Sequence, residues 1–221
     1  MKNLLTHLLT SLIVYVFLGI TNSNAQITQR NLLPEFTSQQ LAQSLISQED
    51  FKPFPQTPEA WKKILPDSVI EQIIKKGNEA IDKPFVGIPA TTMLEFVRNN
   101  NRSDYEKISF QKRNQLMDLV MAESVEGKGR FTDQIINGIW SICEESFWGV
   151  SAHLGIQKAG AGLPDVQDPI VDLFTAETGA VLAWTDYFTG PELDKVSKLI
   201  RKRISYEIER RIFKPMTTAK Y

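Results

Sequence analysis

The sequence predicts an all-α protein built from antiparallel helical hairpins. Most of its longer segments place apolar side chains three or four residues apart, which is typical of helices with one buried face. Few segments alternate between apolar and polar residues as strands do. The breaks between the helical segments are short and rich in proline, glycine and capping residues, so we expect successive helices to pack as antiparallel neighbours.

Proline and capping residues define the helices of the first half of the chain. Residues 26–57 are irregular and contain several prolines. Pro58 suits the first position of a helix, and Asp67 or Ser68 can cap the next one. Residues 83–89 read as an extended connection. The helices predicted here cover residues 38–47, a segment that begins at Pro58, residues 67–81 and residues 91–98.

The second half is predicted by the same signals. Asp168 followed by Pro169 combines a capping side chain with a first-turn proline, so we expect a helix to begin there. Gly190 and Pro191 are expected to end that helix and begin another, which Pro215 should stop. The helices predicted here cover residues 104–126, 131–145, 169–190 and 191–214.

The first 25 residues read as a signal peptide. Lys2 precedes a largely apolar segment, and residues 23–25 offer the small-residue pattern that signal peptidase cleaves after Ala25. A retained membrane anchor is the alternative, although the segment is short for a spanning helix. We therefore expect export, to a bacterial periplasm, with no membrane association after cleavage. The remaining chain reads as an irregular segment over 26–57 and a helical domain over 58–221.

Charge and cysteine content exclude several classes of function. The chain carries 25 lysines and arginines against 26 aspartates and glutamates, a balance that argues against a nucleic-acid partner. Cys143 is the only cysteine and lies on an apolar helix face, so we expect a buried free thiol. One cysteine and one histidine outside the leader are too few for the usual zinc sites, and no metal or other cofactor is predicted.

The segment over residues 139–154 contains the main candidates for binding or catalytic side chains. It combines two carboxylates, two tryptophans and His153, a set that suits a sugar-binding or acid–base site. Glu144 and Glu145 point to different sides of one helix, so they do not form the paired carboxylates of a glycoside hydrolase. The structural alternatives are core packing for Trp148, a hydrogen-bonded histidine at 153, and Glu145 as an anchor for the following loop.

Glu177 is predicted to interrupt an apolar stripe. A buried carboxylate must be paired, hydrogen-bonded or protonated. The sequence leaves two readings open, a structural tie between helices and a group that lines a central cavity. The stripe around it consists of Ile170, Phe174, Val181, Trp184 and Phe188.

Five segments of the chain resemble the N-terminal region of bacterial heparinase II/III-like proteins. The resemblance extends over roughly residues 58–215. The segments are 119–123, 126–131, 138–148, 163–166 and 172–180.

This resemblance implies part of an incomplete (α/α) toroid, a ring of helical hairpins that a β-sandwich-rich domain follows in the family. Its members are lyases that cleave acidic polysaccharides by β-elimination at a uronic acid, which requires carboxylate neutralisation, a base and an acid. By the same resemblance, Glu145, Trp148 and His153 are expected to face bound sugar, with Trp148 stacked on a pyranose ring. Arg102 is a further candidate, since arginine beside a turn can bind an acidic glycan, although a solvated surface arginine is the ordinary alternative.

The sequence ends at Tyr221, before the Asn-rich motif and the catalytic His and Tyr residues of the family would occur. We therefore assign no catalytic residue and expect a lyase-like segment that is incomplete for catalysis on its own. Two alternatives are a non-catalytic module that binds acidic polysaccharide and a helical scaffold for a protein partner. The scaffold would self-associate through the unfinished toroid edge, at the last helix over residues 193–212.

Overall fold

A computed structural model describes residues 36–47 and 49–218, and this part of the chain is helical with no strand. The predicted all-α class is thereby confirmed. No helix within these ranges is long and apolar enough to span a membrane. The predicted signal peptide, residues 1–25, lies outside the described residues. The chain divides into two compact units between Phe51 and Lys52.

Helix α1 belongs to the first unit and the other described helices to the second. The predicted bounds of α1 and of α3 to α6, and the predicted start of α2 at Pro58, are confirmed to within three residues. Thr37 and Thr57 cap α1 and α2 through their side chains. The helices are α1 (Ser38–Ser44), α2 (Pro58–Ile64), α3 (Asp67–Ile81), α4 (Ala90–Asn99), α5 (Ser103–Glu126), α6 (Thr132–Cys143), a 3-10 helix (Ser151–Ile156), α7 (Leu173–Val196), α8 (Lys198–Ile208), a π-helical turn (Glu209–Phe213) and α9 (Lys214–Thr218).

The predicted start of α7 at Asp168 and Pro169 is wrong. The helix begins at Leu173, and Asp172 is its cap, because its carboxylate accepts a hydrogen bond from the Thr175 amide at 2.7 Å. The Asp168 carboxylate is instead occupied within the preceding loop, where it accepts from the Lys158 amide at 2.9 Å. The capping aspartate is therefore Asp172, four residues after the one expected from the sequence.

The prediction that Gly190 and Pro191 end this helix is also wrong. Helix α7 continues through Pro191 to Val196, although proline cannot donate the helical hydrogen bond. Arg201 of α8 stabilises this turn, because it binds Asp186 at 2.6 Å and Asp194 at 2.9 Å, on either side of the proline. The chain turns only at Ser197, whose extended backbone and capping side chain begin α8.

Pro215 does not stop the last helix as predicted. It is the second residue of α9, which follows directly from the π-helical turn at Glu209–Phe213. In that turn the Lys214 amide donates to the Glu209 carbonyl. The wider turn changes the hydrogen-bond register just before the proline, so the helix can continue.

The long helix α5 is central to the second unit and packs against α2, α3, α4, α6 and α7. The main core lies where α5 and α6 meet α7 and α8, and its members are almost fully buried. The core side chains from these four helices include Leu116, Leu119, Val120, Ile135, Ile139, Ile142, Leu182, Leu193, Ile200 and Ile204.

Gly77 is required where α3 crosses α5. A Cβ atom at this position would overlap Cβ of Ala122 and lie 3.0 Å from the Phe131 ring. We expect Gly77→Ala to lower the free energy of unfolding by about 1–3 kcal/mol, in spite of the better helix propensity of alanine. Gly87→Ala is the matched control, because no atom lies within 4 Å of its added Cβ. Equal denaturation midpoints for the two variants would contradict this close approach.

Candidate functional site

A cleft of about 410 Å³ lies between the segment leading into α4, the first half of α5 and the end of α6. Met93 and Phe147 form apolar parts of its wall. Lys112, Glu144 and Glu145 contribute charged side chains, and Ser141 is a further polar residue of the wall. The cleft therefore combines apolar surface with a few polar groups, which is the usual character of a small-ligand site.

Lys112 and Glu145 of the cleft wall belong to a buried group of two cations and one anion, whose second cation, Arg113, does not itself line the cleft. The Lys112 ammonium lies 2.8 Å from one Glu145 carboxylate oxygen, and Arg113 binds the same carboxylate through both terminal nitrogens, at 2.7 and 3.2 Å. The three side chains are only 4%, 8% and 7% exposed. Lys112 also donates to the Ser141 carbonyl at 3.4 Å. We call these three residues the Glu145 triad, and its formal charge is positive.

Cationic side chains also satisfy the carbonyl groups at the C-terminal end of α6. Arg203 and Arg211 donate to the Cys143 carbonyl at 3.0 and 3.3 Å. Arg211 additionally donates to the Glu145 carbonyl at 2.5 Å. The last carbonyls of a helix lack helical partners and carry partial negative charge, so cations there are stabilising. Glu145 thus anchors the segment after α6 by both its side chain and its backbone.

Glu207 of α8 forms ion pairs with the arginines near the C-terminal end of α6. Its carboxylate is 2% exposed and binds Arg203 at 2.9 Å and both Arg210 and Arg211 at 2.7 Å. Burial alone would raise the pKa of Glu207, but the arginines outweigh it and hold that pKa below its usual range. Nearby, burial and the Glu207 charge raise the pKa of the Cys143 thiol to about 12. The thiol is therefore protonated at neutral pH.

Trp148 is buried, which contradicts the expectation that its ring stacks on a sugar. Its ring is 1% exposed, its Nε1 donates to the Ile142 carbonyl at 2.9 Å, and the Arg211 guanidinium lies 4.7 Å from the ring centroid. Both the polar edge and one face of the indole are occupied within the protein. The core-packing alternative describes Trp148 instead.

His153 lies outside the cleft, in the 3-10 helix. Its Nδ1 lies 2.7 Å from an Asp172 carboxylate oxygen, and its ring lies 5.9 Å from that of Phe174. Asp172 also accepts from the Val150 and Thr175 amides. His153 therefore links the 3-10 helix to the start of α7, which is the structural alternative considered for it.

Arg102 does not reach the cleft either. It lies directly before α5, is 43% exposed, and pairs with Glu106 one turn further along the helix. This is the geometry of a surface ion pair, which contributes little to stability.

The burial predicted for Glu177 is wrong, because this residue is exposed. The apolar stripe that surrounds it in sequence is only half-buried, and α7 packs through its threonines instead. Thr178 and Thr189 bury their hydroxyls by donating to the carbonyls four residues earlier, at 2.9 and 2.7 Å. The fully buried side of α7 consists of Thr175, Thr178, Gly179, Leu182, Thr185, Thr189, Gly190 and Leu193.

Two residues of the Glu145 triad, Lys112 and Arg113, were not predicted from the sequence. A helical spacing that joins Ser109, Lys112, Leu116 and Leu119 would have placed Lys112 on a buried face. No group of three or more histidine, cysteine, aspartate or glutamate side chains in the ranges described is arranged to hold a metal ion.

The comparisons with known proteins do not assign the chain to a family. No family model matches it, and no curated protein is significantly similar to it. The function is therefore argued from the cleft and its charges.

Proposed function

We propose that the cleft binds the carboxylate of a uronate-containing polysaccharide, in the helical part of an exported, lyase-like protein. The helical hairpins would form part of an incomplete (α/α) toroid, and the chain would bind this glycan without cleaving it on its own. The observation that carries the proposal is the buried Lys112 ammonium in the cleft wall, in a triad with a positive formal charge.

The triad leaves hydrogen-bonding capacity for an anion. The Lys112 ammonium has three N–H donors, and within the protein it contacts the Glu145 carboxylate and the Ser141 carbonyl. A bound carboxylate would accept the third donor, and the positive formal charge of the triad would offset the exposed Glu144 carboxylate that also lines the cleft. Because the Lys112 side chain is only 4% exposed, this interaction is stronger than the same contact at the surface. Met93 and Phe147 form an apolar part of the cleft wall, against which the C–H face of a sugar ring can pack.

The cleft favours binding over catalysis. Tyr105 lines it, but its hydroxyl donates to the Phe147 carbonyl at 3.3 Å. Burial and the negative charge of Glu145 raise the pKa of Tyr105 far above its ordinary value. The phenol therefore stays protonated and is a poor base for removing a C5 proton.

We expect Lys112→Met to weaken the binding of a short oligoglucuronate by about 10- to 100-fold, the loss of one charge-assisted hydrogen bond. The measurement is calorimetric titration, with a neutral oligoglucoside of equal length as the comparison ligand. Lys107→Met is the matched control, since Lys107 is an exposed lysine of α5 outside the cleft. Circular dichroism verifies that both variants fold.

Equal affinities for the two lysine variants would contradict the proposal. Binding of the neutral oligosaccharide as tightly as the acidic one would also contradict it. Absorbance of unsaturated uronate should not rise during the titration, and a rise would show that the chain cleaves its ligand.

The second candidate is a scaffold that self-associates through α8 and the π-helical turn. Leu199, Tyr206 and Phe213 are exposed along this segment, whereas Ile204 on its other side is buried. We expect concentration-dependent self-association in sedimentation velocity, weakened by Leu199→Asp. Ile156→Asp is the control, because Ile156 is equally exposed but lies in the 3-10 helix. A wild-type protein that stays monomeric at all concentrations would exclude this candidate.

A further inference from the structure

A second depression, of about 290 Å³, lies between α5 and α7. Phe110 and Phe174 line it, and their rings are stacked with centroids 5.2 Å apart and planes 27° from parallel. Both rings are half-buried. Asn114 and Glu177 line the same depression from the two different helices, and both are exposed. The result is an aromatic surface with a polar side chain on each of two helices.

The polar groups of this depression differ in how many hydrogen bonds they form within the protein. Arg113 lies at its base, where it donates to Thr178 at 2.9 Å, to the Ser109 carbonyl at 3.1 Å and to the Glu145 carboxylate. Asn114 and Glu177 have no hydrogen bond or ion pair to any residue that the structure describes. The base is therefore occupied by internal contacts, whereas the two outer groups are available to a ligand.

The charges of the depression disfavour an acidic ligand. The guanidinium of Arg113 is already paired with Glu145, while the Glu177 carboxylate faces the depression uncompensated. A uronate would meet this negative charge. A neutral, polyhydroxylated ring avoids that repulsion and can use the planar amide and carboxylate as hydrogen-bonding partners for its hydroxyl groups, and binding of a cation instead is an outcome of the test.

We infer that this depression binds a neutral pyranose ring, with the sugar's C–H face on the accessible part of the Phe110–Phe174 stack and its hydroxyls on Asn114 and Glu177. Its volume is close to the lower end of the range for small-ligand sites, which suits a single ring. This inference is independent of the carboxylate cleft, because it uses other side chains and a ligand of different charge.

The test is saturation-transfer NMR of the full chain with the methyl glycosides of glucose, galactose and mannose. Methyl glucuronide and tetramethylammonium serve as the acidic and cationic comparison probes. We expect saturation transfer to the ring protons of at least one neutral glycoside, with cross-relaxation from phenylalanine protons. Asn114→Ala and Glu177→Ala should each weaken this binding about fivefold, the loss of one hydrogen bond.

Asn78→Ala and Glu71→Ala are the matched controls, because both residues are exposed on α3, away from the depression. They should leave the binding of the neutral glycosides unchanged. The inference is overturned if no neutral glycoside binds, if only tetramethylammonium or the glucuronide binds, or if the α3 variants weaken binding as much. Lys112→Met should not affect this readout, so the result separates the depression from the cleft.

Discussion

Replacing Glu145 by alanine should lower the free energy of unfolding by about 3–5 kcal/mol, because it leaves two buried cations without their anion. Lys112 and Arg113 are adjacent on α5 and less than a tenth exposed, so water cannot replace the carboxylate easily. The variant also releases the side-chain anchor of the segment after α6. Denaturant unfolding followed by circular dichroism measures the loss.

Glu144→Ala is the control for this experiment. Glu144 is the preceding residue in the chain, but its side chain is exposed, so its loss should change stability by no more than about 0.5 kcal/mol. A Glu145→Ala variant that is as stable as Glu144→Ala would mean that the triad is not buried in solution. In the double variant Lys112→Met with Glu145→Ala, part of the loss should be recovered, because one unpaired charge is removed as well.

Glu207→Ala should have the second largest effect, a loss of about 3 kcal/mol. Its carboxylate binds three arginines, of which Arg211 is buried while Arg203 and Arg210 reach solvent. Removing the anion therefore leaves the buried Arg211 guanidinium without its carboxylate partner. The same guanidinium donates to the carbonyls at the end of α6. Glu209→Ala is the control, since Glu209 is an exposed glutamate two residues further along the chain. Equal stabilities of these two variants would contradict the expected role of Glu207.

The contribution of Glu207 should also depend on pH. Its pKa in the folded chain lies below its ordinary value, because the arginines outweigh the effect of burial. The stabilisation is fully present above the unfolded pKa, about 4.3, and is lost as the pH falls through the lower folded pKa. The stability difference between the wild type and Glu207→Gln should therefore shrink as the pH is lowered from about 6 into this range. A difference that stays constant would contradict the shifted pKa.

The first six helices were predictable because local signals define their ends. Thr57 and Pro58 occur together at the start of α2, and Gly127 adopts the left-handed conformation that ends α5. The continuation of α7 through Pro191 was not predictable in this way. Arg201, which comes from the next helix, binds on both sides of the proline. A long-range contact of this kind leaves no local sequence signal.

The candidate site was only partly predictable for a related reason. Glu145 stands out in sequence because it follows an apolar helix and lies beside aromatic residues, whereas Lys112 and Arg113 lie within a long helix that has polar residues on all sides. The buried positions of α5 include a lysine, an arginine and two further polar side chains besides Glu123, so its apolar pattern does not reveal its inner face. Trp148 was misjudged because an aromatic residue beside carboxylates suits a sugar site and a core position equally well.

The most direct test of the proposed carboxylate site is an NMR titration of methionine methyl groups with sodium glucuronate. Met93 lines the cleft, and Met216 is an exposed methionine of α9 that does not line it. We predict that the Met93 methyl resonance shifts to saturation in the wild type and that Met216 stays unchanged. Lys112→Met should raise the glucuronate concentration needed for the Met93 shift by about 10- to 100-fold. An unmoved Met93 resonance at high glucuronate concentration, or an equal shift at equal glucuronate concentration in the Lys112→Met variant, would contradict the carboxylate site.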